Sequence, residues 1–242
     1  IRLDAAATVA AELRRLRAER PVAAVEVAVN PAEVVRGVSF GRFVGRAVEL
    51  ESLKGFFDEM LGGRSRLVMV VGEPGIGKTR LVEELGVYAA VRGAQVCWGH
   101  CYEGEMGAPY LPFVEALRAY VRDRSDDELR VELSTGAPEV ATIVSDLRTR
   151  FPDLPVAPAL DGDAERMRLF EGVSSFLASA SAARPLVLML DDVHWADKPT
   201  LLLLQYLVRN LRRERILIVC TYRDVELDRT HPLAEAVAAL RR

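Results

Sequence analysis

The amino-acid sequence predicts an α/β fold in which a parallel β-sheet is flanked by helices. From residue 40 onward, strand-sized apolar runs alternate with stretches of helical periodicity. The runs 67–71 and 186–190 are apolar throughout, which is typical of strands buried on both faces. Because strands that alternate with helices are joined by helical crossovers, these strands are expected to lie parallel.

The individual elements follow from this pattern in chain order. Residues 48–61 are the first helix of the regular region, with Leu50, Leu53, Phe57 and Leu61 on one face. Further helices are predicted at 79–91, 113–122, 163–181, 200–211 and 232–240. Strands are predicted at 67–71, 95–98, 186–190 and 216–221.

Two regions depart from the regular pattern. Residues 1–38 are predicted to be an upstream connector or the tail of a preceding domain, with an amphipathic helix at 4–20 and a short strand at 25–29. Residues 39–242 are predicted to form the core domain. Within it, residues 122–166 are acidic and interrupted by prolines, which indicates a small inserted lobe of short helices.

Composition and charge exclude several classes of protein. With 32 basic and 35 acidic residues, the formal net charge of −3 disfavours direct contact with a nucleic-acid backbone. Three cysteines are too few for a disulfide framework. The apolar runs are too short to cross a membrane and no secretory signal is seen, so a cytoplasmic location is expected. The chain starts at Ile1, not Met, and stops at Arg242 inside an apparent helix, so we expect it to be an excised fragment that is truncated at its C-terminus.

Residues 72–79 have the sequence GEPGIGKT, which matches the Walker A motif, or P-loop, between a predicted strand and a helix. Glycines let such a loop wrap around a phosphate, and the following helix directs its positive dipole end at the same anion. Lys78 is predicted to contact the β- and γ-phosphates as a catalytic residue, and the Thr79 hydroxyl to bind Mg²⁺. The predicted nucleotide-binding residues here are Glu73, Pro74, Gly75, Ile76, Gly77, Lys78, Thr79 and Arg80.

Residues 186–192 form a Walker B arrangement, an apolar strand that ends in two carboxylates. At the carboxyl edge of a parallel sheet, Asp191 is predicted to hold Mg²⁺ opposite Thr79. Asp192 is predicted to orient or deprotonate the attacking water, because a carboxylate there can accept its proton.

The next predicted strand ends at Thr221, and Arg223 follows it. A polar residue and an arginine at this edge are candidates to contact the γ-phosphate and to report its loss, so Arg223 is predicted as a catalytic residue. An exposed arginine in a loop is the alternative that the sequence leaves open.

Four segments together resemble the AAA-like ATPase domain of STAND proteins, the signal-transduction ATPases with numerous domains. They are FVGRAVEL from residue 43, GEPGIGKTRL from residue 72, LDDVHWAD from residue 190 and TYRDVELDRTHPL from residue 221. The resemblance covers residues 40–242. It is nearest to the modules of large ATP-binding LuxR-type transcriptional regulators and of bacterial multidomain nucleotide cyclases.

The resemblance implies roles for residues that carry no motif of their own. Val44, Gly45 and Arg46 would line the adenine and ribose side of the nucleotide. Ala47 stands where the family has its first glutamate, whereas Glu49 matches the second. By the same resemblance, the second acid of the Walker B motif is catalytic and the arginine after the fourth strand is the sensor.

The resemblance also implies the sheet order 5-1-4-3-2 of additional-strand P-loop ATPases. The fifth strand, the helical lid, the winged-helix module and the sensor or output modules are expected beyond Arg242. Without the fifth strand, the P-loop strand would be a bare sheet edge, which invites association. We expect residues 25–29 or another chain to cover that edge.

These inferences predict an ATP-binding and slowly hydrolysing switch with ATP or ADP and Mg²⁺ as its ligands. The alternative is a scaffold that binds ADP or ATP and oligomerises without significant hydrolysis, and a homo-oligomer is one arrangement left open. A kinase or a DNA-loading ATPase is less favoured, because no second substrate pocket and no basic stripe are evident. Preference for ATP over GTP rests on the resemblance and on the lack of an N-K-x-D sequence.

Two other groups of polar residues receive structural interpretations. Cys97, His100 and Cys101 lie within five positions, and three such ligands without a fourth nearby rarely form a zinc site. His194 is predicted to be structural and not catalytic. Asp197 is predicted to cap the helix that follows it.

Overall fold

The computed structural model describes residues 45–104, 108–133, 136–157, 162–223 and 231–240. Residues 1–38, with the helix and the strand predicted there, lie outside this range. The strands are β1 (Arg66–Val71), β2 (Gln95–His100), β3 (Leu186–Asp191) and β4 (Ile216–Tyr222). The helices are α1 (Ala47–Leu61), α2 (Lys78–Val91), α3 (Leu111–Arg122), α4 (Asp126–Leu133), α5 (Ala137–Ile143), α6 (Asp146–Arg150), α7 (Gly162–Ala183), α8 (Lys198–Asn210) and α9 (Pro232–Leu240).

The four strands form one parallel sheet in the order β1-β4-β3-β2. This confirms the predicted α/β class and the order 1-4-3-2 among the described strands. The predicted fifth strand and the cover over β1 stay predictions. Val71 pairs with Tyr222 and His100 pairs with Asp191, so the carboxyl ends of all four strands meet at one edge of the sheet.

Alternate residues of the buried strands β3 and β4 supply the core on each face of the sheet, as the pleat requires. One face packs against α1 and α2 through the sheet residues Val187, Met189, Leu217 and Val219. The opposite face packs against the helices from α3 onward through Leu186, Leu188, Leu190, Ile216, Ile218 and Cys220. Helices therefore cover both faces, and α4–α6 occupy the region predicted as a helical insertion.

Strand β2 is two residues longer than the sequence predicted. Gly99 and His100 pair with Leu190 and Asp191, and this backbone pairing continues the strand although the apolar run has ended. At Gly99 the backbone of α3 lies close against the sheet. A Cβ added to Gly99 would lie 1.8 Å from the carbonyl oxygen of Pro112.

Replacing Gly99 by Ala is therefore expected to lower the free energy of unfolding by about 3 kcal/mol, because the new methyl group meets backbone that cannot turn away. Urea denaturation followed by circular dichroism measures this change. Gly162→Ala is the matched control, since a Cβ there meets nothing within 4 Å. Equal stability of the Gly99→Ala variant and the parent would show that α3 does not pack this closely.

Candidate active site

The loop 72–77 connects β1 to α2 at the carboxyl edge of the sheet. Gly75 and Gly77 have φ angles of 75° and 90°, and a Cβ at either position would meet nothing within 4 Å. The first backbone hydrogen bond into α2 runs from Leu81 N to Gly77 O at 3.0 Å. The amides that precede Leu81 belong to the first turn of α2, where backbone N–H groups lack an acceptor within the helix itself. This open loop and helix start have the form of an anion cradle.

The ammonium group of Lys78 lies within this loop. The residue is only 6% exposed, and its Nζ donates to the carbonyl oxygens of Gly72 at 2.9 Å and Glu73 at 3.1 Å. Both acceptors are neutral, so they hold the ammonium group without cancelling its charge. A buried positive charge beside the backbone amides at the start of α2 favours an anionic ligand.

Two motifs that are far apart in the sequence meet at the start of α2. The hydroxyl of Thr79 lies 3.1 Å and 3.3 Å from the two carboxylate oxygens of Asp191, which is buried at the end of β3. The hydroxyl of Thr221, at the end of β4, donates to the same carboxylate. Three oxygen-bearing side chains from α2, β3 and β4 are thus in direct contact.

Asp192 occupies an uncommon backbone conformation, with φ 55° and ψ 45°. Its N–H donates to the Thr221 hydroxyl at 2.9 Å. One carboxylate oxygen lies 3.8 Å from Nδ1 of His194, and the other lies 3.9 Å from a guanidinium nitrogen of Arg223. A left-handed residue other than glycine costs free energy, and such residues are concentrated at functional sites.

Thr221 has a larger part in this arrangement than sequence reasoning gave it. We expected only a polar residue at the strand end, whereas its buried hydroxyl joins Asp191 and Asp192 directly. Leu190 pairs with Cys220, so the residues that follow them are neighbours. Asp191 and Thr221 each lie five positions after the paired residues Leu186 and Ile216. Once β3 and β4 are assumed to be adjacent, this equal spacing is the signal that could have predicted the contact.

The other predicted nucleotide-binding residues lie in the loop, in α2 and before α1. Glu73, Pro74 and Ile76 are exposed in the loop, and Arg80 pairs with acidic residues one turn further along α2. Gly45 and Arg46 directly precede α1, and both have positive φ angles. Val44 lies outside the described residues. The roles of all these positions stay predictions.

The helix cap predicted at Asp197, after the Walker B motif, is confirmed. A side-chain oxygen of Asp197 accepts a hydrogen bond from Thr200 N at 2.6 Å, and α8 begins at Lys198. This cap satisfies a backbone donor at the start of α8 and fixes the chain as it leaves the edge of the sheet.

The residues Cys97, His100 and Cys101 are held in separate environments. The ring of His100 contacts Glu115, with Nδ1 at 3.1 Å from a carboxylate oxygen. The backbone N–H of His100 donates a hydrogen bond to the same oxygen at 2.8 Å. Both cysteines are buried and free. In the described part of the chain, no group of three or more acidic, histidine or cysteine side chains has a metal-binding arrangement.

Burial raises the pKa of the Cys97 and Cys101 thiols to about 12, so both are protonated at neutral pH. Because the thiolate is the reactive form, we expect iodoacetamide to modify these residues about 100-fold more slowly in the folded chain than in guanidinium chloride. Mass spectrometry of timed samples measures both rates. Modification of the folded chain at the unfolded rate would contradict the burial of these thiols.

A parallel sheet of order 1-4-3-2 with a glycine loop and strand-end aspartates at one edge is the fold of the P-loop nucleoside triphosphatases. Within that class, the chain can be assigned to one family. The family model described as AAA ATPase domain matches residues 42–219, and the chain belongs to this family.

The chain is also similar to the uncharacterized protein R02095 of Rhizobium meliloti (strain 1021), with 24% identity over 230 residues. The match covers 86% of this chain but only 22% of that protein. Among the described residues, no helix has both the length and the apolar character needed to cross a membrane.

Proposed function

We propose that this chain is the ATP-binding and slowly hydrolysing switch module of a multidomain signalling or transcriptional regulator of the STAND class. The observation that carries the proposal is the contact between Thr79 and Asp191 at 3.1 Å. This contact joins the Walker A and Walker B motifs, although the two residues are 112 positions apart in the sequence. Membership of the AAA ATPase domain family supports nucleotide binding. The four STAND-like segments support the finer assignment.

In this proposal the loop 72–77 and the first amides of α2 bind the phosphates. Lys78 exchanges its carbonyl partners in the loop for the β- and γ-phosphate oxygens, because an ionised acceptor forms the stronger hydrogen bond. The exposed loop residues Glu73, Pro74 and Ile76, and Arg80 beyond them, flank the phosphates. Val44, Gly45 and Arg46 line the adenine and ribose side, as the STAND resemblance implies.

The residues at the end of β3 fit a magnesium ion. The Thr79 hydroxyl and the Asp191 carboxylate are hard oxygen donors in mutual contact, and Mg²⁺ is commonly held by one or two carboxylates together with substrate phosphates. Thr79 and Asp191 would hold Mg²⁺, which would supply positive charge to offset the negative charge of the phosphates. Thr221 holds the Asp191 carboxylate in place from the neighbouring strand.

Hydrolysis requires a group that accepts a proton from water. Asp192 takes this proton as the water oxygen bonds to the γ-phosphorus, and the bond from that phosphorus to the bridging oxygen breaks to give ADP and phosphate. Arg223 lies beside Asp192 at the end of β4 and senses whether the γ-phosphate is present. Turnover is slow, because a switch needs long-lived nucleotide states.

The switch acts on other parts of the same protein. By the STAND resemblance these are a helical lid, a winged-helix module and an output module, whose packing would change when the γ-phosphate is lost. The relative of which this chain covers 22% supports a multidomain setting.

Titration of the chain with labelled ATP, ADP and GTP, with and without Mg²⁺, tests the proposal when combined with a phosphate-release assay. We expect ATP and ADP to bind, GTP to bind more weakly, and phosphate release to require Mg²⁺. No binding of any nucleotide would reject the proposal. Binding without Mg²⁺-dependent phosphate release would favour the oligomerisation scaffold.

A further inference from the structure

His194 lies in a rigid turn immediately after the two aspartates. The turn Val193–Trp195 is closed by hydrogen bonds from Trp195 N to Asp192 O at 3.0 Å and from Ala196 N to Val193 O at 3.1 Å. The imidazole is buried, with 1% of its side chain exposed, and its centroid lies 4.9 Å from the Trp195 ring. Sequence reasoning gave this residue a purely structural role.

The turn brings the imidazole back to the carboxylate two positions earlier. Nδ1 of His194 is 3.8 Å from Oδ1 of Asp192, while Oδ2 faces Arg223. The Asp192 side chain is 31% exposed, so water reaches it. The carboxylate therefore lies between two nitrogen-bearing groups from different segments of the chain.

We propose that His194 is a positioning residue for Asp192, which rests on the proposed function in which Asp192 accepts the proton from water. The Nδ1–H group of His194 holds Oδ1 and so fixes the rotation of the carboxylate toward the attacking water. At 3.8 Å the contact is longer than a hydrogen bond, and catalytic contacts that are long in a substrate-free site often tighten when substrate binds.

The variants His194→Asn and His194→Gln separate positioning from packing. The Asn amide nitrogen takes the position of Nδ1, whereas the Gln amide nitrogen takes that of Nε2. We expect His194→Asn to retain most of kcat and His194→Gln and His194→Phe to lose about tenfold, with the KM for ATP unchanged in all three. Equal kcat values for the parent and His194→Phe, or for the Asn and Gln variants, would overturn the proposal.

Combination with Asp192→Asn gives the decisive control. If His194 acts through the Asp192 carboxylate, His194→Gln should cause no further loss of single-turnover rate once that carboxylate is gone. The same tenfold loss in both backgrounds would indicate packing and overturn the proposal.

Crystal structures of the parent and of His194→Gln, each with a non-hydrolysable ATP analogue bound, provide a readout that does not require turnover. We expect the Asp192 carboxylate to face Nδ1 in the parent and to rotate away in the variant. An unmoved carboxylate would overturn the positioning role even in a chain that hydrolyses ATP. A parent that does not bind ATP would instead reject the proposed function.

Discussion

Replacing Lys78 by Ala is expected to weaken the binding of ATP and ADP about 100-fold. The ammonium group is buried and is held in the loop by carbonyl oxygens at 2.9 Å and 3.1 Å, so it can be transferred to a phosphate without breaking an ion pair with those partners. Hydrogen bonds to charged groups contribute about 1.5–3 kcal/mol each, and about 1.4 kcal/mol corresponds to a tenfold change in affinity. Isothermal titration with each nucleotide measures the loss.

The chain offers a matched control, because lysine occurs in it only at positions 54, 78 and 198. Lys198 is exposed at the first position of α8, so Lys198→Ala removes the same charge from a solvated site. We expect this variant to bind both nucleotides as the parent does. Parent-like affinity in a folded Lys78→Ala variant would remove the P-loop from the proposed function.

The sheet could be predicted from the sequence because its signals are local. The wholly apolar runs that became β1 and β3 need no knowledge of their neighbours, and a glycine loop between strand and helix has few other structural explanations. The strand order came from the resemblance to STAND proteins and not from periodicity. Strand β2 was predicted too short because its last two residues are held by pairing with β3 and not by apolar character.

The details of the site depend on contacts between strands and so were less accessible. The hydrogen bonds that join Thr221 to Asp191 and Asp192 form only if β3 and β4 are neighbouring strands with their carboxyl ends aligned. The left-handed conformation of Asp192 has no signal in the sequence, because the surrounding structure imposes it on a residue that prefers other conformations. The contact from His194 depends in turn on that conformation, which explains why a purely structural role was predicted.

Replacing Asp192 by Asn is expected to lower the rate of ATP hydrolysis about 1,000-fold while the affinity for ATP stays within a factor of two. The substitution removes the proton acceptor and changes little else. Asn tolerates the left-handed conformation that Asp192 adopts at φ 55°, and the backbone N–H that bonds to Thr221 is retained. Alanine would be a poorer choice, because its backbone strain would confound the loss of the carboxylate.

Single-turnover phosphate release and equilibrium titration of the same preparation separate the two expectations. Asp163→Asn is the control, since that carboxylate is 90% exposed at the start of α7, and it should leave both quantities unchanged. If Asp192→Asn releases phosphate at the parent rate, the carboxylate is not the proton acceptor and a scaffold that only binds nucleotide becomes the better description. If it binds ATP but turns over 1,000-fold more slowly, the site hydrolyses ATP through the Asp192 carboxylate.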